Sequence, residues 1–228
     1  MTQRVSKRRD SRASSALRPL SCEQSPLRSA DGSALWKSGS TQVLATVHGP
    51  VAPRAPHYEQ KNAIVSVLVK SGATTKTDER EWEGILTRVL SACVVTDQYP
   101  RSIIQVVLQI VATDGSVLSA CLHAAVSACL DASIAMKFLP VAATCLIESD
   151  GTIRLDPDTA EEDQYGSIVV VVHEDMILAT HSTGVHSSMD IILQCVTAAQ
   201  KMAPAVTSFL RLAVEQKATR EAQTLWSC

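Results

Sequence analysis

Polar and apolar residues alternate along two neighbouring stretches near the start of the chain. These stretches are residues 33–37 and 42–48, and Ser38 and Gly39 lie between them. A period of two on both sides of a glycine-containing turn predicts a β-hairpin. The GPVAPRAP segment that follows contains three prolines and is expected to be a loop, whereas NAIVSVLVKSG alternates again and predicts a third strand.

The pattern then changes its period between residues 77 and 93. Trp82, Ile85, Leu86 and Val89 recur at three- and four-residue steps, which predicts an amphipathic helix. The apolar run IIQVVLQIVA predicts a strand that is buried on both faces. It leads into an Asp-Gly turn, and the small apolar residues of 116–132 predict a buried helix.

Strands and helices also mix in the second half of the chain. AMKFLPVAATCLIESDGTIRLDP predicts two strands joined by a Ser-Asp-Gly turn, and GSIVVVVHEDMILATHSTG predicts a hairpin that turns at Glu174 and Asp175. Residues 188–226 predict a long final helix, which Pro204 should kink or divide. The resulting order, βββ-α-β-α-ββ-ββ-α, is typical of an α+β fold.

Composition narrows the class of protein. Of the 228 residues, 46% are hydrophobic, 19% charged and 4% aromatic, as in a globular protein with an aliphatic core. The net charge of −2 argues against a module that binds nucleic acid through its overall charge. Seven cysteines without a CxxC pair argue against a zinc ribbon and favour reduced, buried thiols. We find neither a signal peptide nor an apolar run long enough to cross a bilayer, so we expect a soluble intracellular protein.

Basic residues dominate the first sixteen positions, which hold few large apolar side chains. We therefore expect residues 1–16 to be a disordered basic tail. Such a tail either touches RNA or serves as a nuclear address, or it is simply solvated. Residues 17–218 are expected to form the folded domain, and 219–228 a C-terminal tail or the end of the last helix.

Five pieces of the sequence, in this order, resemble the RNase PH family. They are DGSALWKSGSTQVLATVHGP, YPRSIIQVVLQI, DGSVLSACLHAAVSACLDASI, LDPDTAEED and HSTGVHSSMDIILQCVTAAQK. The resemblance spans about residues 17–217 and is greatest to the RNase PH-like subunits of the eukaryotic RNA exosome core ring. It implies the RNase PH-like α+β fold (ribosomal protein S5 domain 2-like), with mixed sheets packed against helices.

RNase PH enzymes cleave RNA from its 3′ end with inorganic phosphate as the nucleophile. By resemblance, active members hold the phosphate with an arginine at the position of Leu118 and place a catalytic aspartate at the position of Val169. Hydrocarbon at both positions implies a phosphorolytic site that is inactive and binds no cofactor or metal. A guanidinium and a carboxylate placed together at the mouth of the Gly115 turn, supplied from elsewhere in the chain, would overturn this expectation.

Two further clusters are metal candidates with simpler alternatives. Glu161, Glu162 and Asp163 are either a magnesium site or, as we expect, a solvated acidic loop. The other candidate trio, His181, His186 and Asp190, has no standard zinc spacing, and exposed histidines beside a helix cap are the expected interpretation.

Six basic residues at loops or element ends are candidates for RNA contacts, although each alone is typical of an ordinary surface charge. They are Arg54, Lys61, Lys76, Arg80, Arg88 and Arg101.

The resemblance implies a non-catalytic structural subunit of the exosome ring that supports 3′-to-5′ RNA processing, including rRNA processing and mRNA turnover. Implied partners are other RNase PH-like subunits in pairwise dimers, S1/KH cap subunits and RNA, with no membrane, in the nucleus, nucleolus and cytoplasm. SIVVVVH and MILATH are candidate interface strands. The alternative is an active phosphate- or metal-dependent 3′–5′ exoribonuclease acting as a homodimer, with Asp156, Asp158 and Asp163 holding a metal. A pure RNA-binding module is a third possibility.

Overall fold

The first of two sheets contains five strands in the order β1-β2-β3-β5-β4. The structure is a computed structural model that describes residues 8, 12–52, 61–72, 76–148, 151–184 and 189–226. The pairing is antiparallel except between β4 and β5, which are parallel. The strands are β1 (Leu20–Gln24), β2 (Gly32–Ser38), β3 (Thr41–Val51), β4 (Ile64–Ser71) and β5 (Ile103–Ala112).

Two helices pack against this sheet, α1 (Lys76–Cys93) and α2 (Val117–Asp131). The apolar stripe predicted for α1 is buried, and residues 118–129 of α2 are buried on all sides. The expectation that β5 is buried on both faces is wrong, because its burial alternates. Gln105 and Gln109 fall on the less buried face, so the strand is one-sided, as its two polar positions require.

The second sheet is antiparallel, with the order β7-β6-β8-β9. Its strands are β6 (Val141–Ile147), β7 (Ile153–Leu155), β8 (Ser167–His173) and β9 (Met176–Thr183). Both faces of β6 and β8 are buried, so the expectation that SIVVVVH forms a subunit interface is wrong: β8 lies inside this chain. The β9 edge strand, which contains MILATH, is exposed at Met176 and Ile177, and its role as an interface stays a prediction.

The last helix, α4 (Met189–Trp226), packs its apolar face against β6 and β8. Pro204 lies inside it and is exposed, and no new segment starts there. One missing N–H donor is tolerated because the packed face holds the helix on both sides of the proline. A short helix, α3 (Thr159–Glu162), and strand β1 are absent from the predicted order. No helix in the described part of the chain is long and apolar enough to cross a membrane.

Glutamates of α1 cover the free edge of β4. Glu83 Oε1 accepts a hydrogen bond from Val69 N–H, and Glu79 Oε1 accepts one from Ser71 N–H, both at 2.9 Å. The two glutamates are four residues apart and therefore lie on one face of the helix. Unpaired edge amides invite pairing with a second chain, so this pair of side chains closes the β4 edge.

The described part of the N-terminal segment is ordered, which corrects the expectation of a disordered tail for Arg8 and residues 12–16. Arg8 is 6% exposed, and its Nη2 donates to Leu155 O at 2.6 Å. The backbone amide of Leu155 donates in turn to Ser14 O at 2.8 Å. Composition alone missed this packing because two arginines, Arg8 and Arg12, find buried carbonyl and carboxylate partners in the folded domain.

Candidate functional site

The turn that opens α2 has two consecutive residues in the left-handed region. Gly115 has φ 73° and Ser116 has φ 52°. A Cβ atom at Gly115 would lie 2.5 Å from Pro157 O and 2.6 Å from Asp158 C, so no larger residue fits. The segment that runs from Asp156 to α3 therefore packs directly against this turn.

Arg18 lies behind the turn, in the interior, with a side chain 5% exposed. Its Nη2 donates to Asp156 Oδ1 at 2.6 Å and to Gly115 O at 3.3 Å, and its Nη1 donates to Asp114 O. Burial alone would raise the pKa of Asp156, but the Arg18 guanidinium and the Arg18 backbone N–H hold it below its usual value. Thr41 Oγ1 fixes the same turn, because it accepts from Asp114 N–H at 3.0 Å and donates to Gly115 O at 2.8 Å.

A carboxylate occupies the front of the turn. Ser116 N–H donates to Glu162 Oε1 at 3.0 Å, and Ser116 Oγ donates to Pro157 O at 3.1 Å. Burial raises the pKa of Glu162 to about 7, against the lowering effect of the Ser116 N–H and of Arg18. The first amide of the turn thus binds an anion that the chain itself supplies.

The two positions where hydrocarbon replaces the expected polar groups are both buried. Leu118 is 4% exposed and Val169 is 6% exposed. Val169 pairs with Thr144 across β6 and β8, and Thr144 Oγ1 lies 2.7 Å from Ser119 Oγ, one turn into α2. The side chains of Leu118 and Val169 are hydrocarbon and can bind neither phosphate nor a proton nor a metal.

The turn does receive a guanidinium, from Arg18, and carboxyl groups, from Asp156 and Glu162, all from distant parts of the chain. At the mouth of the turn, these groups would argue against an inactive site. The geometry differs from that of an anion-binding arginine. The donors of Arg18 point to the carbonyls of Asp114 and Gly115 and to Asp156, and only Arg18 Nε–H is buried without a partner. Carbonyl oxygens repel an anion, so this guanidinium supports the back of the turn.

The expectation that Glu161, Glu162 and Asp163 form a solvated loop is wrong for the two glutamates, which are half-buried. Asp163 is exposed, as expected. Glu161 forms a capping box with Asp158, and its Oε1 lies 3.3 Å from both Arg8 Nε and Arg154 Nη1. Within the described ranges, no group of three or more His, Cys, Asp or Glu side chains is placed to hold a metal.

The expectation of exposed histidines is wrong for His181, whose side chain is 13% exposed. His181 Nδ1 lies 3.4 Å from Glu81 Oε1 of α1. Asp190 is exposed in the first turn of α4, and His186 falls outside the described residues.

The candidate RNA contacts divide between two ends of the first sheet. Ser71 ends β4 and bonds Glu79 near the start of α1, so Arg80 lies at the end where β5 leads into the Gly115 turn. Three residues lie at the opposite end of the sheet. Lys61 precedes β4, Arg101 precedes β5, and Arg88 lies near the end of α1. The side chains of Arg80, Lys61, Arg101 and Arg88 are exposed. Arg54 falls outside the described residues, and for Lys76 only the backbone is described.

Sequence reasoning missed Arg18 and Thr41, which together hold the back of the turn. Neither belongs to a recognisable pattern: Arg18 precedes Pro19, and Thr41 opens a strand. Thr41 reaches Gly115 because β3 and β5 pair with the start of β3 beside the end of β5, and Arg18 reaches it because β1 and β2 place Leu20 next to Ser38, the partner of Thr41.

Two sheets around a buried helix that opens from an Asp-Gly turn define a protein of the RNase PH fold. The crystal structure of rice (Oryza sativa) Rrp46 superposes with a TM-score of 0.85 at 31% identity, over 91% of this chain and 100% of that one. An archaeal exosome core subunit shares the fold, with a TM-score of 0.79 at 19% identity.

The sequence agrees with the fold. Residues 16–135 match the model of the 3′ exoribonuclease family, domain 1. A relative from Arabidopsis thaliana named exosome complex exonuclease RRP46 homolog is 36% identical over 179 residues, which are 78% of this chain and 74% of the relative. The chain belongs to the 3′ exoribonuclease family with the RNase PH fold, as its motifs indicated.

Proposed function

We propose that this chain is a structural subunit of an RNA exosome ring that does not itself perform phosphorolysis. The observation that carries the proposal is the content of the Gly115 site. Hydrocarbon stands at Leu118 and Val169, and Glu162 occupies the amide of Ser116. The names of the Arabidopsis and rice relatives, which are RRP46 proteins of the exosome, support the assignment to a ring.

A phosphate nucleophile needs donors that face it and a group that protonates the departing 3′ oxygen. At the Gly115 turn the nearest guanidinium, Arg18, is committed to Asp156 and to two carbonyls. An incoming phosphate would also have to displace the Glu162 carboxyl group, which with a pKa of about 7 is about half ionised at neutral pH. We infer that the fold is retained here for the ring it builds.

Within that ring we propose pairwise contacts with sister RNase PH-like subunits, with S1/KH cap subunits beyond them and RNA in the channel. The exposed β9 edge strand is our candidate for a subunit contact, since its apolar Met176 and Ile177 are about half exposed. Arg80, Arg88, Lys61 and Arg101 are the candidate phosphate contacts. We propose the nucleus, nucleolus and cytoplasm as its compartments.

Two readouts test the proposal separately. Purified chain is incubated with end-labelled RNA, with and without inorganic phosphate and Mg²⁺, and we expect intact RNA in every case. Co-expression with sister RNase PH-like subunits, followed by native mass measurement, should give an assembly that contains this chain. Nucleoside diphosphates released only with phosphate would contradict the inactive site, whereas a chain that never joins the assembly would contradict the ring.

The alternative is an active phosphate- or metal-dependent exoribonuclease that acts as a homodimer. One observation favours it: Glu162, with a pKa of about 7, has the proton affinity expected of a general acid at neutral pH. The same RNA assay with the Glu162→Gln variant decides, because phosphate-dependent cleavage that this variant abolishes would establish an enzyme.

A further inference from the structure

Two buried cysteines from distant parts of the chain meet between β6 and α4. Cys145 lies in the middle of β6 and Cys195 in the second turn of α4, and both are 0% exposed. The single S–H of Cys145 points at Cys195, where it donates to the backbone O at 3.6 Å and also interacts with the sulfur. Both thiols are free.

We propose that Cys145 and Cys195 are a redox-active pair that peroxide converts to a disulfide joining β6 to α4. Nothing in the ring function requires this pair, so the proposal stands independently of it.

The hydrogen bond makes the two sulfurs unequal. It raises the pKa of Cys145, which donates, and burial acts in the same direction. It lowers the pKa of Cys195, which accepts, and burial opposes this. A thiolate is the nucleophilic form of cysteine, so Cys195 is the attacking sulfur and Cys145 the resolving one.

The reaction balances with one peroxide. The Cys195 thiolate attacks an oxygen of hydrogen peroxide, the O–O bond breaks, and a sulfenic acid forms with release of hydroxide. The Cys145 thiol then attacks the Cys195 sulfur, an S–S bond forms, and the sulfenic oxygen leaves as water with the Cys145 proton, while the proton that Cys195 lost on forming its thiolate neutralises the hydroxide. Each sulfur is oxidised by one electron, and peroxide is reduced to two molecules of water.

A cleft brings a small oxidant close to the pair, but neither cysteine lines it. It has a volume of about 760 Å³ and runs along α4 beside residues 15–17. Its lining includes Gln194, which precedes Cys195, and Leu155, which is the β7 residue paired with Cys145. The apolar lining of this cleft suits neutral hydrogen peroxide better than a charged oxidant.

The test uses the full chain. After peroxide treatment and alkylation of the remaining thiols, trypsin cuts after Lys137, Arg154 and Lys201, so residues 138–154 carry only Cys145 and 155–201 only Cys195. We expect these two peptides to appear as one species without reductant and to separate with it. The linked protein should melt about 5–10 °C higher than the reduced protein.

Cys195→Ser should lose the linked species and the rise in melting temperature, whereas Cys121→Ser, which removes a buried thiol of α2, should keep both. Two outcomes in the wild-type chain alone overturn the proposal. One is both cysteines remaining alkylatable after peroxide exposure, and the other is oxidation of Cys195 to a sulfinic acid with Cys145 still reduced.

Discussion

The Arg18–Asp156 pair gives the sharpest measure of whether the arginine at the Gly115 turn is structural. Its atoms are 2.6 Å apart, and the side chains are 5% and 10% exposed. Removing one partner of such a pair leaves an uncompensated buried charge, which typically costs about 3–5 kcal/mol. We therefore expect Asp156→Asn and Arg18→Met each to lower the free energy of unfolding by about that much.

The double variant should lose less than the sum of the two single losses, because it removes both charges of the pair. A coupling of about 1–3 kcal/mol is expected for residues in direct contact. Urea unfolding at pH 7, followed by circular dichroism, gives all three values. Glu221→Gln is the matched control, because Glu221 is 61% exposed and pairs with Lys217 at the surface. The free energy of unfolding of this variant should stay within about 0.5 kcal/mol of wild type.

Acid provides a second readout of the same pair. The folded pKa of Asp156 lies below its ordinary value of 3.8, so its stabilisation is present above pH 3.8 and is lost as pH falls through the folded pKa. The difference between wild type and Asp156→Asn should therefore shrink in strong acid. Single losses below about 1 kcal/mol, or strict additivity, would refute a structural role and leave Arg18 available for an anion.

Three other perturbations have definite expected results. Burial lowers the pKa of His123 to about 4, so the unfolded chain takes up a proton more readily than the folded chain as the pH falls. The free energy of unfolding should therefore fall by about 3 kcal/mol between pH 6.5 and pH 4, and urea titrations of His123→Gln should not show this fall. Glu83→Ala should lower the free energy of unfolding by about 1 kcal/mol and increase self-association measured by light scattering, because Val69 N–H loses its acceptor. Glu83→Gln should behave like wild type, because the glutamine oxygen can accept the same hydrogen bond. Asp131→Ala should cost about 3 kcal/mol in urea unfolding, more than Lys217→Met, because the carboxylate that pairs with Lys217 also accepts hydrogen bonds from Ser33 N–H and Ser25 Oγ; equal costs would contradict this.

The spacing of apolar residues predicted those helices and strands that depend mainly on their own local sequence. The stripe of α1, the hairpin that turns at Glu174 and the buried α2 follow from spacing and turn chemistry. β1 was missed because LSCEQ has little β-branched content, and it exists through its pairing with β2. Pro204 was given too much weight, since tertiary packing holds α4 through it.

The candidate site could be predicted only where a motif carries it. Leu118 and Val169 were found by register against a known pattern, and both are buried. Glu162 was identified as an acid but not as the partner of Ser116, because 46 positions separate them and only the packing of Pro157 on Gly115 joins them. Contacts of this separation depend on the tertiary fold and have no local signature.

The ordered arginines before β1 have a practical consequence for anyone who produces this protein. A shortened chain that begins after residue 16, which composition alone would recommend, lacks Arg8 and Arg12, two of the arginines that hold the 155–161 segment. Such a truncation would remove Arg8 from the carbonyl of Leu155 and leave the carboxylate of Glu161 with Arg154 alone, which would loosen the wall of the Gly115 turn. Purification tags are better fused at the far end, beyond Trp226.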